Sequence, residues 1–189
     1  MRARSFSHAG ITVSDFNRAV TFYWEVFGAP LVGVSEAPAD RVSGFFGVPA
    51  PGGTCRIGWI RFPGGAVVEI FHFEPQQPPH PVEWNRRGWT HICLNVRGIQ
   101  KWHDHLVSKG VEIVSPPEQS PRGHWLFFVK DFDGNLIEIT DLGYMYYVLG
   151  WLGPLGGWIF RRGMYKKYYE TRITCERESS PSTDFPHSD

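Results

Sequence analysis

The chain contains 189 residues, of which 42% are hydrophobic and 20% are charged, a composition typical of a folded domain rather than a disordered segment. Nineteen Lys and Arg residues balance nineteen Asp and Glu residues, and a neutral chain has no general electrostatic attraction to nucleic acid. Three widely spaced cysteines argue against a disulfide framework, and the first residues lack the apolar stretch of a secretory signal. We therefore expect a cytoplasmic protein that does not bind nucleic acid.

An internal repeat organises the sequence. HAGITV at residues 8–13 matches HICLNV at residues 91–96, and both segments begin with His and alternate like a strand. Each half then closes on an apolar strand with a single Glu, AVVEIF at 66–71 and NLIEIT at 135–140. Between these strands, apolar residues recur three or four positions apart, the pattern of one helix face: Phe16, Val20, Tyr23 and Phe27 in the first half, and Ile99, Trp102 and Leu106 in the second. The sequence therefore predicts two βαβββ modules and an α+β fold.

The changes in composition along the chain predict five regions. The first module occupies residues 1–73, a Pro-rich linker 74–89 and the second module 90–142. An aromatic and Gly-rich extension follows at 143–170, and a polar tail rich in Ser at 171–189 is expected to be disordered.

The polar residues of the repeated strands predict a metal site. Side chains alternate across a strand with period two, so His8 and Glu69 in the first module point away from the face that the helix covers. His91 and Glu138 do the same in the second module. Alone, each would be read as a hydrogen-bonded core residue or an exposed edge residue, but the repetition favours a shared role. Two imidazoles and two carboxylates suit one divalent ion such as Zn, Ni, Co, Mn or Fe.

These motifs resemble the vicinal oxygen chelate superfamily, which includes glyoxalase I, methylmalonyl-CoA epimerase, extradiol dioxygenases and the bleomycin and fosfomycin resistance proteins. The resemblance rests on HAGITV with FYWEVFG, on THICLNV and on DFDGNLIEITD at 131–141. It implies a cup-shaped, mostly antiparallel eight-stranded sheet with helices outside, and one divalent metal bound by His8, Glu69, His91 and Glu138. It also implies a small carbonyl or thioester substrate, and proton transfer through an enediolate with Glu138 and Glu69 as the catalytic carboxylates.

The members of the superfamily differ in the residues that they carry at the site positions. A glyoxalase I-like lyase or isomerase fits the ligand set best, although Thr12 stands where the glutathione-binding Arg would be. A methylmalonyl-CoA epimerase-like enzyme is the alternative, with Glu69 in place of its usual Gln. An Fe(II) extradiol dioxygenase ranks lower because Phe128 and Phe132 replace its Tyr and Pro. A small-molecule binding module of the resistance type would lack the four ligands.

Other polar residues receive simpler interpretations. His72 falls on the strand face opposite Glu69, whereas His103 and His105 lie on the second helix and are expected to be exposed to solvent. His124 is a candidate for contact with the site from the preceding strand. Cys93 points into the predicted cup and is expected to be a small buried thiol.

The extension after the second module has an unusual composition. Gly143–Phe160 contains no charged residue and is followed by Arg161, Arg162, Lys166 and Lys167. Its Gly and Pro content disfavours a membrane-spanning helix. We expect it to pack on the protein as a flap or against a second copy in a homodimer, with contact to a membrane surface as the less favoured alternative.

Overall fold

The computed structural model describes residues 3–49, 52–79, 82–85 and 87–164. The described residues up to Gly143 form one compact unit, and those from Tyr144 onward form a second. The predicted polar tail at 171–189 lies outside the described residues, and the predicted module boundaries remain a prediction.

The first half forms a four-stranded sheet in the order β1-β4-β3-β2. β1 pairs with β4 in parallel, and the other neighbours are antiparallel. A short helix, α2, occupies part of the loop between β2 and β3, which the sequence pattern did not predict. The elements are β1 His8–Thr12, α1 Phe16–Phe27, β2 Leu31–Ala37, α2 Ala39–Gly44, β3 Thr54–Arg61 and β4 Val67–Glu74.

The second half repeats this arrangement in the order β5-β9-β8-β6, with β7 pairing to β8 as an additional short strand. β5 pairs with β9 in parallel, as β1 does with β4. The predicted α+β class and the two βαβββ units are confirmed, and the strands of the described residues divide between two open sheets. The elements are β5 His91–Asn95, α3 Ile99–Ser108, β6 Glu112–Ile113, β7 Glu118–Gln119, β8 Trp125–Lys130 and β9 Leu136–Asp141.

Helix α1 begins and ends at residues with specific capping roles. The Asp15 carboxylate accepts a hydrogen bond from the Arg18 backbone N–H at 2.9 Å, which satisfies one of the free donors of the first turn. Gly28 ends the helix with φ 65°, a left-handed conformation that glycine adopts without a steric penalty. Ser14, the residue before Asp15, donates its backbone N–H to the Asp133 carboxylate at 2.8 Å and so connects the two halves.

The two halves share one hydrophobic core through the sides of their sheets that the helices cover. Phe27 of α1 stacks on Trp102 of α3 with ring centroids 6.2 Å apart. The His105 ring donates from Nε2 to the Val26 carbonyl at 3.0 Å, which joins the same two helices. β4 and β9 supply core residues on either side of their glutamates: Val68, Ile70, Ile137 and Ile139. The alternation along β4 and β9 therefore places both glutamates on the sheet faces that point away from this core.

A buried carboxylate also connects the halves. The Tyr23 hydroxyl of α1 donates to Asp131 Oδ2 at 3.2 Å, and the backbone N–H groups of Asp133 and Asn135 donate to Oδ1, each at 2.9 Å. Asp131 is 4% exposed and Tyr23 is fully buried. Burial raises the pKa of both groups above their ordinary values. This cluster fixes α1 of the first half on the β8–β9 turn of the second.

The second unit is helical. It comprises α4 Met145–Tyr147, a π-helical segment Val148–Leu152, α5 Gly153–Ile159 and a second π-helical segment Phe160–Met164. No helix in the described part of the chain is long and apolar enough to cross a bilayer.

Candidate metal-binding site

The first half brings His8 and Glu69 together. The parallel register places Gly10 of β1 opposite Glu69 of β4, so His8, two residues earlier on the same face, reaches the carboxylate. His8 Nε2 lies 3.0 Å from Glu69 Oε2. The His8 side chain is 41% exposed and that of Glu69 is 14% exposed, so the carboxylate lies deeper than the imidazole.

The second half repeats the pair with His91 and Glu138. The register of β5 and β9 places Cys93 opposite Glu138, and His91 again lies two residues earlier. His91 Nε2 lies 3.0 Å from Glu138 Oε2, the same distance as in the first half. Both pairs thus use the same ring nitrogen and equivalent strand positions.

Each imidazole has a hydroxyl group beside its second nitrogen. Ser7 Oγ lies 3.1 Å from His8 Nδ1, and Thr90 Oγ1 lies 2.9 Å from His91 Nδ1. When Nδ1–H donates to the hydroxyl, Nε2 keeps its lone pair and can bind a cation. The hydroxyl residue before each His is therefore a second repeated feature, which the strand pattern alone did not identify.

The four predicted ligands form two separate pairs in one chain. Among the described residues, no three His, Cys, Asp or Glu side chains lie close enough together to hold a metal ion. His8 and His91 border the same cavity of about 370 Å³, lined mainly by β1, β5 and β9, yet each imidazole is paired with the glutamate of its own half. The nitrogen and oxygen donors fit a divalent transition metal, and each half supplies two of them.

Aromatic rings surround the second pair. Phe128 lies opposite Glu138 in the β8–β9 register, and its ring meets that of His91 edge to face at 5.4 Å between centroids. Trp84 contacts both rings, at 5.6 Å from His91 and 5.0 Å from Phe128. The side chain at position 128 therefore packs against the candidate ligand and offers it no hydroxyl group.

An open pocket of about 980 Å³ lies beside the first pair. Glu69 lines it together with Trp59, Phe71 and Phe46, and Arg41 of α2 also lines it. A Cβ atom at Gly33 would lie only 3.0 Å from the Trp59 ring, so glycine there leaves room for the indole against β2. The sequence pattern did not predict this pocket, because the loop that carries α2 is too short and irregular to show strand or helix periodicity. The only signal for an apolar pocket is the pair Phe45 and Phe46 directly after α2.

Cys93 is exposed, so the prediction of a buried thiol is wrong. Partial desolvation by neighbouring atoms, together with the charge and hydrogen bond of Glu138, raises the pKa of the Cys93 thiol to about 12. The thiol is therefore protonated at neutral pH. Its position opposite Glu138 agrees with the prediction that it shares a face with His91.

The other histidines that the structure describes have other contacts. His72 Nδ1 lies 2.9 Å from Gln76 Nε2, and His72 Nε2 lies 3.3 Å from Glu74 Oε1. His124 Nδ1 lies 2.9 Å from Ser120 Oγ. The predicted solvent exposure of His103 and His105 is wrong, because both are half-buried on α3. The cause is packing: the His103 ring meets Phe127 of the core, and His105 binds the α1 backbone.

Comparisons with known proteins agree with this architecture. A family model described as Glyoxalase/Bleomycin resistance protein/Dioxygenase superfamily matches residues 5–139. A 2-epi-5-epi-valiolone epimerase from an Actinomyces species is 27% identical over 147 residues, which cover 71% of this chain and 78% of that protein. A lactoylglutathione lyase from Schizosaccharomyces pombe is 28% identical over 148 residues, covering 75% of this chain and 48% of that protein, so the chain spans about half of that relative's length.

A solved structure gives the same fold. The glyoxalase family protein from Bacillus cereus superposes with a TM-score of 0.63 at 20% identity, covering 75% of this chain and 95% of that one. The family match at residues 5–139 covers both βαβββ units except the last two residues of β9, and it includes both His–Glu pairs. On this basis, the chain belongs to the Glyoxalase/Bleomycin resistance protein/Dioxygenase superfamily.

Proposed function

We propose that this protein is a metal-dependent lyase or isomerase of the glyoxalase type, which transfers a proton at the carbon next to a carbonyl. The observation that carries the proposal is the repeated His–Glu pair, with a nitrogen–oxygen distance of 3.0 Å in both halves. Family membership and the relatives named as lyase and epimerase support an enzyme of this kind.

The site is proposed to form between two copies of the chain. The core joins the halves through their helix-covered sides, and the His–Glu pairs lie on the opposite faces. A homodimer that apposes these faces would unite His8 and Glu69 of one copy with His91 and Glu138 of the other. Because two-fold symmetry makes such contacts in pairs, the dimer would contain two equivalent sites.

The two histidines and the two glutamates have different proposed roles. A divalent metal, when bound, supplies a Lewis acid that polarises the substrate carbonyl and acidifies the neighbouring C–H. His8 and His91 would hold it through Nε2, the nitrogen that faces the carboxylate in each pair. Glu138 is the proposed base that removes the proton from carbon and keeps it on its own carboxyl group. Glu69, on the opposite side of the assembled site, would donate a proton from its own carboxyl group, and exchange with solvent would restore the starting protonation of both glutamates. An isomerase or an epimerase could use the same two carboxyl groups in this way.

The pocket beside Glu69 suggests where the substrate binds. Trp59, Phe71 and Phe46 can contact an apolar or ring-shaped group while the carbonyl faces the His–Glu pair. We propose a small carbonyl or thioester substrate. Thr12, in place of a glutathione-binding Arg, favours a compact substrate over a large glutathione adduct.

An epimerase is the second candidate function, because a relative named as an epimerase is 27% identical to this chain. Epimerisation differs from the lyase reaction in where the second proton transfer occurs, and both use the same carboxylates. Exchange of substrate hydrogen for solvent deuterium, followed by analysis of the product's stereochemistry, distinguishes the two reactions.

Metal analysis tests the proposed site. The protein purified under metal-replete conditions is expected to contain one divalent transition metal per copy. His8→Ala and His91→Ala should each weaken metal binding by more than about 100-fold, because loss of a direct ligand costs more than loss of a residue that only orients one. Elemental analysis and metal titration by calorimetry measure both effects.

His72→Ala is the matched control, since His72 contacts Gln76 and Glu74 instead, and it should keep its metal. A wild-type protein without metal after loading, combined with a His91→Ala variant that binds small-molecule ligands normally, would contradict the enzyme proposal. The binding-module alternative would then take its place.

A further inference from the structure

The helical segment after the second module exposes an unusual number of large apolar side chains. Trp151 is 84% exposed and Tyr144 is 76% exposed. Neighbours in sequence are exposed together, as Trp151 and Leu152 are, and adjacent residues of a helical segment project in different directions around its axis. The exposed apolar surface therefore extends around a wide arc of the helix. Its further members are Tyr146, Tyr147, Val148, Leu149, Leu155, Trp158, Ile159 and Phe160.

Charge is distributed unevenly along this segment. Residues 142–169 contain no Asp or Glu, and their only charges are positive: Arg161, Arg162, Lys166 and Lys167. Arg162 lies over the ring of Trp158 at 4.7 Å, so a cation and an indole meet at the junction between the apolar and basic parts. The chain as a whole is electrically neutral, which makes this local positive charge distinctive.

We propose that this segment attaches the protein to the surface of a bilayer that contains anionic lipids. Tyr and Trp side chains are amphipathic and concentrate at the membrane–water interface, and the segment presents several of each. The arginines that follow the uncharged stretch would contact lipid phosphates and carboxylates. Several glycines and Pro154 weaken a continuous helix, which favours a segment lying in the interface over one that crosses the bilayer.

The distribution of apolar residues favours a bilayer over a protein partner. A helix that docks on a protein groove buries a single stripe of residues spaced three and four apart. Here, Trp151 and the adjacent Leu152 are both more than half exposed. A groove that buried the stripe containing one of these residues would leave the other residue in water. A lipid interface can cover a wider arc. The absence of acidic residues from 142–169 matches the negative charge of the lipid surface.

Sedimentation of the protein with vesicles tests the proposal. The protein should sediment with vesicles of phosphatidylcholine and phosphatidylserine at physiological salt, and much less with phosphatidylcholine alone. The double variant Arg161→Gln/Arg162→Gln should bind the anionic vesicles at least about 10-fold more weakly, since each basic residue near an anionic surface contributes favourable binding free energy. Trp151→Ala/Trp158→Ala should also reduce binding.

Trp24→Ala is the matched control, because Trp24 is 57% exposed on α1, and it should bind vesicles like the wild type. The proposal would be overturned if the protein stayed in the supernatant with both vesicle types. It would also be overturned if the Arg and Trp variants bound the anionic vesicles as tightly as the wild type. If the Trp variants instead alter the oligomeric state measured by light scattering while vesicle binding is absent, the segment contacts a second copy and the proposal is wrong. None of these readouts depends on metal binding or catalytic activity.

Discussion

Replacing Glu138 by Gln is expected to abolish turnover while leaving the fold largely intact. The amide keeps nearly the same size and shape but cannot accept a proton from carbon, and a positioned general base contributes about 10²–10⁴-fold to a rate. Glu138 is 17% exposed and contacts His91 through Oε2 and the Cys93 thiol, so the change affects these two contacts and no residue of the hydrophobic core. Solvent-deuterium exchange into candidate hemithioacetals and thioesters measures the loss.

Glu118→Gln provides the control for this experiment. Glu118 is an exposed residue of β7 in the same half of the protein, and its substitution should leave turnover unchanged. Circular dichroism and thermal unfolding should agree for both variants and the wild type. Turnover by Glu138→Gln within about twofold of the wild-type rate would exclude Glu138 as the base, since even a modest base contributes far more.

Replacing Asp131 by Ala should produce the largest loss of stability among the substitutions considered. It removes the acceptor for the Tyr23 hydroxyl and for the N–H groups of Asp133 and Asn135. Buried donors without a partner cost about 1–3 kcal/mol each, partly relieved by water, so we expect a loss of about 2–4 kcal/mol in the free energy of unfolding. Urea unfolding monitored by tryptophan fluorescence measures it.

Three further variants separate the contributions to this cluster. Asp131→Asn keeps Oδ1 as acceptor for the backbone and should lose less stability than Asp131→Ala. Tyr23→Phe removes a single hydrogen bond and should cost about 1 kcal/mol. Asp104→Ala, on the exposed face of α3, should change stability by no more than about 0.5 kcal/mol. Equal stability of Asp131→Ala and Asp104→Ala would show that the cluster does not hold the two halves together.

The sequence pattern predicted the two βαβββ units because periodicity is a local property. The spacing of Phe16, Val20, Tyr23 and Phe27 corresponds to α1, which spans Phe16–Phe27, and the alternation around Glu69 and Glu138 correctly assigned the sheet face of each. The same alternation correctly placed His72 on the face of β4 opposite Glu69. The His72 ring nitrogens contact Gln76 and Glu74 instead.

Contacts between distant segments could not be predicted in this way. The half-buried positions of His103 and His105 depend on how α3 packs against α1, which no local pattern encodes. The role of Asp131 required the approach of Tyr23 from the other half, 108 positions away. The separation of the ligands into two pairs likewise depends on which faces of the sheets join the halves.

Complementation between two inactive variants tests the central claim that two copies combine their His–Glu pairs. Glu69→Gln and Glu138→Gln are each expected to be inactive alone. In a heterodimer of the two, one site carries both substitutions and the other carries neither, so a randomly assembled equal mixture should recover about a quarter of the wild-type activity. A site formed within one chain would contain a substitution in every copy. Heterodimers that form, as shown by differential tagging, and remain inactive would contradict the account.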